Sequence, residues 1–146
     1  MGSDHTDDPA NPSPARRMFD RDATAVAFGI TILGIDEHGA TVEMSVRPEM
    51  CNGLGMIHGG MTFLLADTAM ALASNDDAAD SALATSAGID WLAPARVGQV
   101  LTATASRVGG GRRSAVWDVV VTTDDGTRIG LFRGRTRKTG IPQPSD

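Results

Sequence analysis

The chain has 146 residues, a length typical of one domain, and 41% of them are hydrophobic, which suffices for a single core. Its formal net charge of −5 argues against nucleic acid as the main partner, because phosphate backbones bind basic surfaces. The lone cysteine, Cys51, excludes an intramolecular disulfide framework and is typical of a reducing compartment.

Both ends of the chain are predicted to lie outside the folded domain. Residues 1–17 are rich in Asp, Pro and Ser and lack an apolar stretch, which predicts a disordered tail rather than a signal peptide. A second disordered segment is expected at residues 141–146, which leaves residues 18–140 as the domain. No segment is long and apolar enough to span a membrane, so we expect a cytoplasmic protein with no membrane partner.

The first half of the domain is predicted to hold a short helix, two strands and a long helix. Apolar residues at helical spacing predict a helix over Phe19–Ala27, whereas Phe28–Ile35 and Thr41–Val46 are typical of strands. The segment Gly59–Asn75 again follows helical spacing, with almost no polar face. A helix that is apolar all round is buried all round, so something must wrap this one.

The second half is predicted to consist of strands joined by short loops, among them a hairpin turn at Asp124–Gly126. Short loops favour antiparallel neighbours, so the element order predicts an α+β fold in which one sheet surrounds one helix. The four predicted strands are Ala82–Leu92, Gln99–Val108, Ser114–Thr123 and Thr127–Lys138.

The segment Met50–Gly60, MCNGLGMIHGG, enters the long helix through two consecutive glycines. The first N–H groups of a helix have no internal partner and carry partial positive charge. Glycine at these positions lets a ligand oxygen approach the backbone, which is the chemistry of an oxyanion hole. The alternative is a plain glycine-rich entry into a tightly packed helix.

Asp67 is the only charged residue within the long helix. An ionised carboxylate among apolar neighbours is costly, so it must be paired, protonated or facing a wet cavity. Apolar surroundings raise a carboxyl pKa toward the range useful to a general base. The alternative is a structural aspartate that is hydrogen-bonded to a backbone group or to Thr68.

The spacing between the glycines and the acid suggests a site built by two chains. Gly60 and Asp67 lie about 10 Å apart along a helix axis, so one carbonyl group cannot easily touch both. Two copies with antiparallel helices bring the glycine end of one near the acid of the other, with two-fold symmetry. The sequence therefore predicts a homodimer with two identical sites.

Three other residues of the entry segment are candidates for chemistry. His58 is expected either to hold water or substrate or to hydrogen-bond the loop, and Asn52 either to act in the site or to shape the turn. Cys51 lacks a further residue to complete a nucleophilic set, so we do not expect thiol catalysis. The histidines at 5, 38 and 58 are scattered, which predicts no metal site.

With these residues in view, the sequence resembles the PaaI-type hotdog thioesterases, which hydrolyse phenylacetyl-CoA and related esters. The resemblance rests on N-G-x-G-x-x-H-G-G at residues 52–60, F-x-L-A-D at 63–67 and G-I-D-W-L-A-P at 88–94. It covers nearly everything from Phe19 to Lys138. It implies a hotdog fold, with a continuous sheet around two central helices in a dimer, usually doubled to a homotetramer.

The resemblance also implies roles for individual residues. Asp67 matches the acid that activates water or, less often, serves as the nucleophile, and the Gly59 N–H matches the group that polarises the thioester carbonyl. Asn52 and His58 match positions that place water and substrate from the subunit opposite the acid. Gly60 completes the glycine pair beside the substrate.

The resemblance does not decide which hydroxyl group, if any, assists Asp67. Related enzymes carry a serine on the strand after the helix, but the matching position here is Ala84, with Thr85 and Ser86 as its neighbours. Either hydroxyl is a candidate. Phe63 is expected to line the acyl pocket, together with Met70 and Trp91.

Coenzyme A, which is part of the substrate rather than a cofactor, needs cations for its phosphates. The Gly109–Arg113 loop supplies Arg112 and Arg113, and the alternating arginines at 133, 135 and 137 form a second basic row. The alternative for both is a solvated hairpin and an edge strand that charge protects from aggregation.

The sequence thus predicts an acyl-CoA thioesterase that hydrolyses an aryl- or acyl-CoA thioester to free acid and CoA without a metal or other cofactor, and the resemblance implies a phenylacetyl-CoA-like substrate and a link to phenylacetate degradation. The nature of the acyl group stays open. The alternatives are a non-catalytic acyl-CoA-binding hotdog protein and a hotdog dehydratase. The dehydratase is disfavoured by the H-G-G and helix-aspartate pattern.

Overall fold

The computed structural model describes residues 8 and 10–145, and within them the chain begins with two short helices rather than one. These are α1 (Pro14–Asp20) and α2 (Ala23–Phe28). The single helix predicted over residues 19–27 is divided because the Asp22 carboxylate accepts a hydrogen bond from the Ala25 N–H, at 3.0 Å, and starts a second helix.

The packed part of the chain extends beyond the predicted bounds of 18–140 at both ends. Helix α1 starts at Pro14 because the Ser13 hydroxyl accepts from the Arg16 N–H at 3.2 Å, and the Ala15 side chain is fully buried in the core. At the other end, the Gln143 amide donates to the backbone carbonyl oxygens of Asn75 and Asp77. The rest of the predicted N-terminal tail, residues 1–7 and 9, lies outside the described residues.

Over the residues that the structure describes, six antiparallel strands form one sheet in the order β1-β2-β4-β5-β6-β3. This confirms the predicted α+β arrangement, with strand bounds within a few residues of those expected from the sequence. The strands are β1 (Thr31–Asp36), β2 (Gly39–Ser45), β3 (Ala82–Trp91), β4 (Val100–Gly110), β5 (Ser114–Thr123) and β6 (Arg128–Lys138).

The long helix α3 (Gly59–Ser74) packs into the concave face of this sheet, preceded by a 3-10 turn at Pro48–Met50. Alternate residues of β2, β4 and β5 point at the helix and are buried, as the period-two pattern predicted. The helix, however, is not wrapped all round. Its half-buried stripe, at the i, i+4 and i+8 spacing of one helix face, consists of Phe63, Leu64, Asp67 and Ala71.

Strand β3 lies at one edge of the sheet and, within the described part of the chain, pairs only with β6. It is attached to both ends of α3. The Asn75 side chain, just past the helix, bonds both backbone polar groups of Ala82, at 2.8 and 3.0 Å. The Trp91 indole, at the other end of the strand, donates to the Gly59 carbonyl oxygen. The edge strand therefore runs antiparallel to the helix along its whole length.

No helix among the described residues has both the length and the apolar character needed to cross a membrane.

Candidate active site

The loop before α3 is shaped by Asn52. Its side-chain oxygen accepts hydrogen bonds from the N–H groups of Leu54 and Met56, at 2.9 and 3.3 Å. The backbone of Asn52 also donates to the Met56 carbonyl oxygen, at 2.7 Å. This is the turn-forming role that was one of the two expected for Asn52. The loop in turn presents His58 to the start of the helix.

His58 is the N-cap residue of α3, and its Nδ1 accepts a hydrogen bond from the Gly60 N–H at 3.0 Å. A ring nitrogen that accepts must be unprotonated, so the neutral imidazole carries its hydrogen on Nε2. The ring is exposed. His58 therefore satisfies one of the free amides of the helix start and presents an Nε2–H donor to the surface.

The backbone N–H of Gly59, at the start of α3, has no hydrogen-bond acceptor among the described residues. The Gly60 N–H, by contrast, is taken by His58. A Cβ at Gly59 would lie 2.9 Å from the Trp91 indole ring, and one at Gly60 would lie 3.1 Å from His58 Nδ1. The structure thus gives a reason for both glycines other than ligand approach: side chains of the same chain fill the space.

Asp67 is half-buried in the middle of α3, and within the described part of the chain no hydrogen bond or ion pair engages its carboxyl group. Asp67 is therefore not a structural aspartate bonded to Thr68, because the Thr68 hydroxyl donates to the Leu64 carbonyl oxygen at 2.8 Å instead. Burial raises the pKa of Asp67 above its ordinary value. An unpartnered carboxylate with a raised pKa has the properties of a general base.

The free amide and the acid do not meet within one chain. Asp67 lies eight positions after Gly59, which places the two residues about 12 Å apart along the helix axis. Phe63 lies between them on the half-buried stripe, where its ring contacts Phe132 edge to face at 5.2 Å between centroids. The predicted aromatic wall and the predicted acid therefore share one face of α3.

Neither candidate hydroxyl residue, Thr85 or Ser86, forms a hydrogen bond with Asp67 of its own chain. A bulge between Ala84 and Ser86 shifts the register of β3. Ser86 lies opposite Arg135, one of the exposed residues of β6, and so points away from α3. Thr85 sits in the bulge, and its hydroxyl donates to the Arg135 carbonyl oxygen at 3.3 Å.

The predicted cations lie beyond the C-terminal end of α3. Arg112 and Arg113 line a cleft of about 340 Å³ together with Ser74, the last residue of the helix. Arg113 also lines a neighbouring cleft of about 500 Å³ with Arg137 and Thr85. These clefts are therefore about a helix length from Gly59 in the same chain.

One member of the predicted basic row, Arg133, is already paired. Arg133 forms a two-fold hydrogen-bonded ion pair with Asp118 on the outer face of the sheet, at 2.6 and 2.9 Å. Arg133 lowers the pKa of Asp118 through this bond. Among the described residues, no group of three or more His, Cys, Asp or Glu side chains is placed to hold a metal ion.

A sheet curled around one helix is the arrangement of the hotdog fold, and the free amide at the helix start and the unpartnered acid at its middle are groups that ester hydrolysis can use. Comparison with known proteins agrees. The sequence profile of the thioesterase superfamily matches residues 54–129. The chain is 40% identical over 126 residues to the acyl-coenzyme A thioesterase PaaI of Escherichia coli, covering 86% of this chain and 89% of that one. The chain belongs to the thioesterase superfamily.

Solved structures confirm the predicted hotdog fold. The structure of the E. coli PaaI protein from the phenylacetic acid degradation operon matches with a TM-score of 0.84 and 39% identity, over 88% of this chain and 93% of that one. A hypothetical thioesterase of Streptococcus pneumoniae, solved with coenzyme A, matches with a TM-score of 0.77 and 25% identity, over 87% and 98% of the two chains. The prediction of a thioester-hydrolysing enzyme related to PaaI is confirmed.

Proposed function

We propose that this protein hydrolyses acyl-CoA thioesters, with arylacetyl groups such as phenylacetyl as substrates, at a site that two copies of the chain share. One observation carries the proposal: a free amide at Gly59 and an unpartnered acid at Asp67 lie on the same helix, too far apart to serve one carbonyl group alone.

The half-buried stripe of α3 and the open edge of β3 support a two-fold dimer. The stripe carries Phe63 and Leu64, apolar side chains that the sheet of their own chain leaves partly uncovered. Strand β3 is ten residues long and presents an unpaired edge, a feature that proteins usually cover or blunt. A second copy that pairs its own β3 antiparallel across a two-fold axis covers both features and continues the sheet.

The same symmetry brings the scattered parts of the site together. If the two α3 helices run antiparallel with Gly59 of one beside Asp67 of the other, the C-terminal end of the second helix extends about 10 Å further. Arg112 and Arg113, from the loop between β4 and β5, line a cleft at that end, where the four basic side chains outnumber the three acidic ones, Glu37, Asp76 and Asp77; the other two basic ones are Arg107 and Lys138. A thioester bound at Gly59 thus has the acid beside its carbonyl carbon and cations further along for the CoA phosphates.

The chemistry proceeds from these placements. The Gly59 N–H binds the carbonyl oxygen, while Asp67 of the other chain removes a proton from a water molecule that attacks the carbonyl carbon. The tetrahedral oxyanion collapses, the carbon–sulfur bond breaks, and the CoA sulfur receives the proton held by Asp67. The Nε2–H of His58 adds a donor beside the carbonyl, and the Asn52 amide nitrogen places water.

Two observations support an aromatic acyl group. The E. coli relative, PaaI, comes from a phenylacetic acid degradation operon. On this chain, the half-buried Phe63 ring lies between the free amide and the acid along α3, and the buried Phe132 ring packs behind it edge to face. Aromatic rings favour edge-to-face and offset contacts, so a phenyl group has a suitable surface here. The pairing of two such dimers into a homotetramer is part of the proposal.

Release of free thiol from phenylacetyl-CoA by the purified protein tests the proposed activity. We expect turnover that Asp67→Asn lowers by about 10²–10⁴-fold, the contribution typical of a general base. Asp20→Asn is the matched control, since Asp20 is an exposed aspartate at the end of α1, outside α3 and β3, and is expected to leave turnover unchanged.

A non-catalytic acyl-CoA binder would release no thiol from any ester while still binding CoA, and that outcome would overturn the proposal. A panel of aliphatic acyl-CoA esters of increasing chain length then measures the preference for an aromatic group. Equal kcat/KM values for phenylacetyl-CoA and the aliphatic esters would contradict the assigned substrate class.

A further inference from the structure

Trp91, at the end of β3, contacts the residue that carries the free amide. Its indole Nε1–H donates to the Gly59 carbonyl oxygen at 3.1 Å. Its ring also fills the space beside the Gly59 Cα, where a Cβ would lie 2.9 Å from ring atoms Nε1 and Cε2. The side chain is nevertheless 58% exposed, so the ring covers Gly59 with one side and leaves the other open.

The peptide group between Gly59 and Gly60 is held at both of its polar atoms by side chains. Trp91 donates to its carbonyl oxygen, and His58 Nδ1 accepts from its N–H at 3.0 Å. Glycine has more backbone freedom than other residues, and the first turn of a helix has the fewest internal bonds. Fixing this peptide plane therefore limits the directions in which the adjoining Gly59 N–H can point.

We propose that Trp91 is a positioning residue for the amide donor: its ring and indole N–H hold Gly59 in the orientation that binds the thioester oxyanion. This role rests on the proposed hydrolysis at Gly59. The ring takes the place of the missing Cβ and keeps water from one side of the donor. A donor held in place before reaction stabilises developing charge without reorganising during the step.

Three variants test the role in catalysis. Trp91→Phe keeps a ring but loses the N–H, and we expect kcat to fall about 3- to 10-fold with little change in KM, the size typical of one hydrogen bond. Trp91→Ala loses ring and N–H, and its kcat falls further. Thr123→Val is the control, because it removes a buried hydroxyl bond to Asp125 in the turn between β5 and β6, outside the clefts assigned to the substrate; its cost is expected in stability.

A rise in KM without a fall in kcat for Trp91→Phe would overturn the proposal, since it would make Trp91 only a wall for the acyl group. The proposed hydrolysis itself is judged separately by the wild-type protein and Asp67→Asn. If the wild type turns over, Asp67→Asn is inactive and Trp91→Phe has unaltered kinetics, the proposed activity is supported. The positioning role of Trp91 is then refuted.

A second measurement does not depend on activity. The chain has two tryptophans, so a nitrogen-15 spectrum shows two indole N–H signals, which Trp91→Phe assigns. We expect the Trp91 signal to exchange with solvent more slowly than a free indole, despite its exposed ring. We also expect Gly59→Ala to lower the unfolding temperature strongly in the wild type and much less in Trp91→Ala. The contact would be refuted if the Trp91 indole N–H exchanged as fast as a free indole and Gly59→Ala lowered the unfolding temperature equally in the wild type and in Trp91→Ala.

Discussion

His58 and Gly60 close the first turn of α3 with a hydrogen bond from the Gly60 N–H to the imidazole Nδ1, at 3.0 Å. An N-cap bond of this kind satisfies an amide that the helix itself cannot, and it uses the ring nitrogen that protonation would block. The same side chain therefore serves the helix through Nδ1 and faces the proposed site through Nε2. The two roles can be separated by substitution.

Replacing His58 by alanine and by asparagine distinguishes the cap from the donor. We expect His58→Ala to lower the free energy of unfolding by about 0.5–2 kcal/mol, the usual cost of a lost N-cap. His58→Asn restores a capping side chain, so most of this stability should return while turnover stays reduced. Urea unfolding and thiol release measure the two effects. Full turnover in His58→Asn would show that Nε2 has no part in the reaction.

The raised pKa of Asp67 predicts the acid limb of the pH–rate profile. Burial raises this pKa above its ordinary value of 3.8, and a general base acts only when ionised. Turnover should therefore fall as the pH drops through the raised value, at a higher pH than an exposed aspartate would give. A profile of kcat/KM against pH measures the limb. A limb at the pH of an ordinary aspartate would contradict the assignment.

The same shift predicts how stability depends on pH. A folded state that raises the pKa of an aspartate favours its neutral form, so this contribution is present at low pH and is lost as the pH rises through the folded value. Asp67→Asn does not ionise. Its stability relative to the wild type should therefore increase with pH, as thermal unfolding at several pH values can show. A difference that shrinks as the pH rises would mean that the carboxylate is stabilised by the fold.

Much of the scaffold follows from periodicity alone, whereas the contacts that complete the site do not. Helix α3 and strand β5 have the bounds that their apolar patterns indicate, within one residue. The bond between Trp91 and Gly59 joins residues 32 positions apart, and no local pattern specifies it. The bulge in β3 could not be predicted from the sequence either. It decides the direction of Ser86, because a one-residue shift exchanges the two faces of a strand, and here Ser86 points away from the helix.

The arginines beyond α3 should affect only substrates that carry CoA phosphates. We expect Arg113→Ala to raise KM for phenylacetyl-CoA by about 3- to 30-fold, as loss of a charge-assisted bond would. The N-acetylcysteamine thioester of the same acid has no phosphate, and its kcat/KM should not change. Arg133→Ala is the control, since Arg133 is paired with Asp118. Equal effects on both substrates would place Arg113 in a structural role.

Mixed dimers test whether the donor and the acid come from different chains. Gly59→Ala displaces the amide, because its Cβ would lie 2.9 Å from Trp91, and Asp67→Asn removes the base. If each site takes Gly59 from one chain and Asp67 from the other, a heterodimer of the two variants has one doubly altered site and one intact site. Isolated through two different affinity tags, it should recover about half of the wild-type activity. If one chain supplied both groups, each site of the heterodimer would be defective and no activity would return. A heterodimer of Asp67→Asn with the wild type, which keeps one intact site under either arrangement, shows how much activity a single site can give.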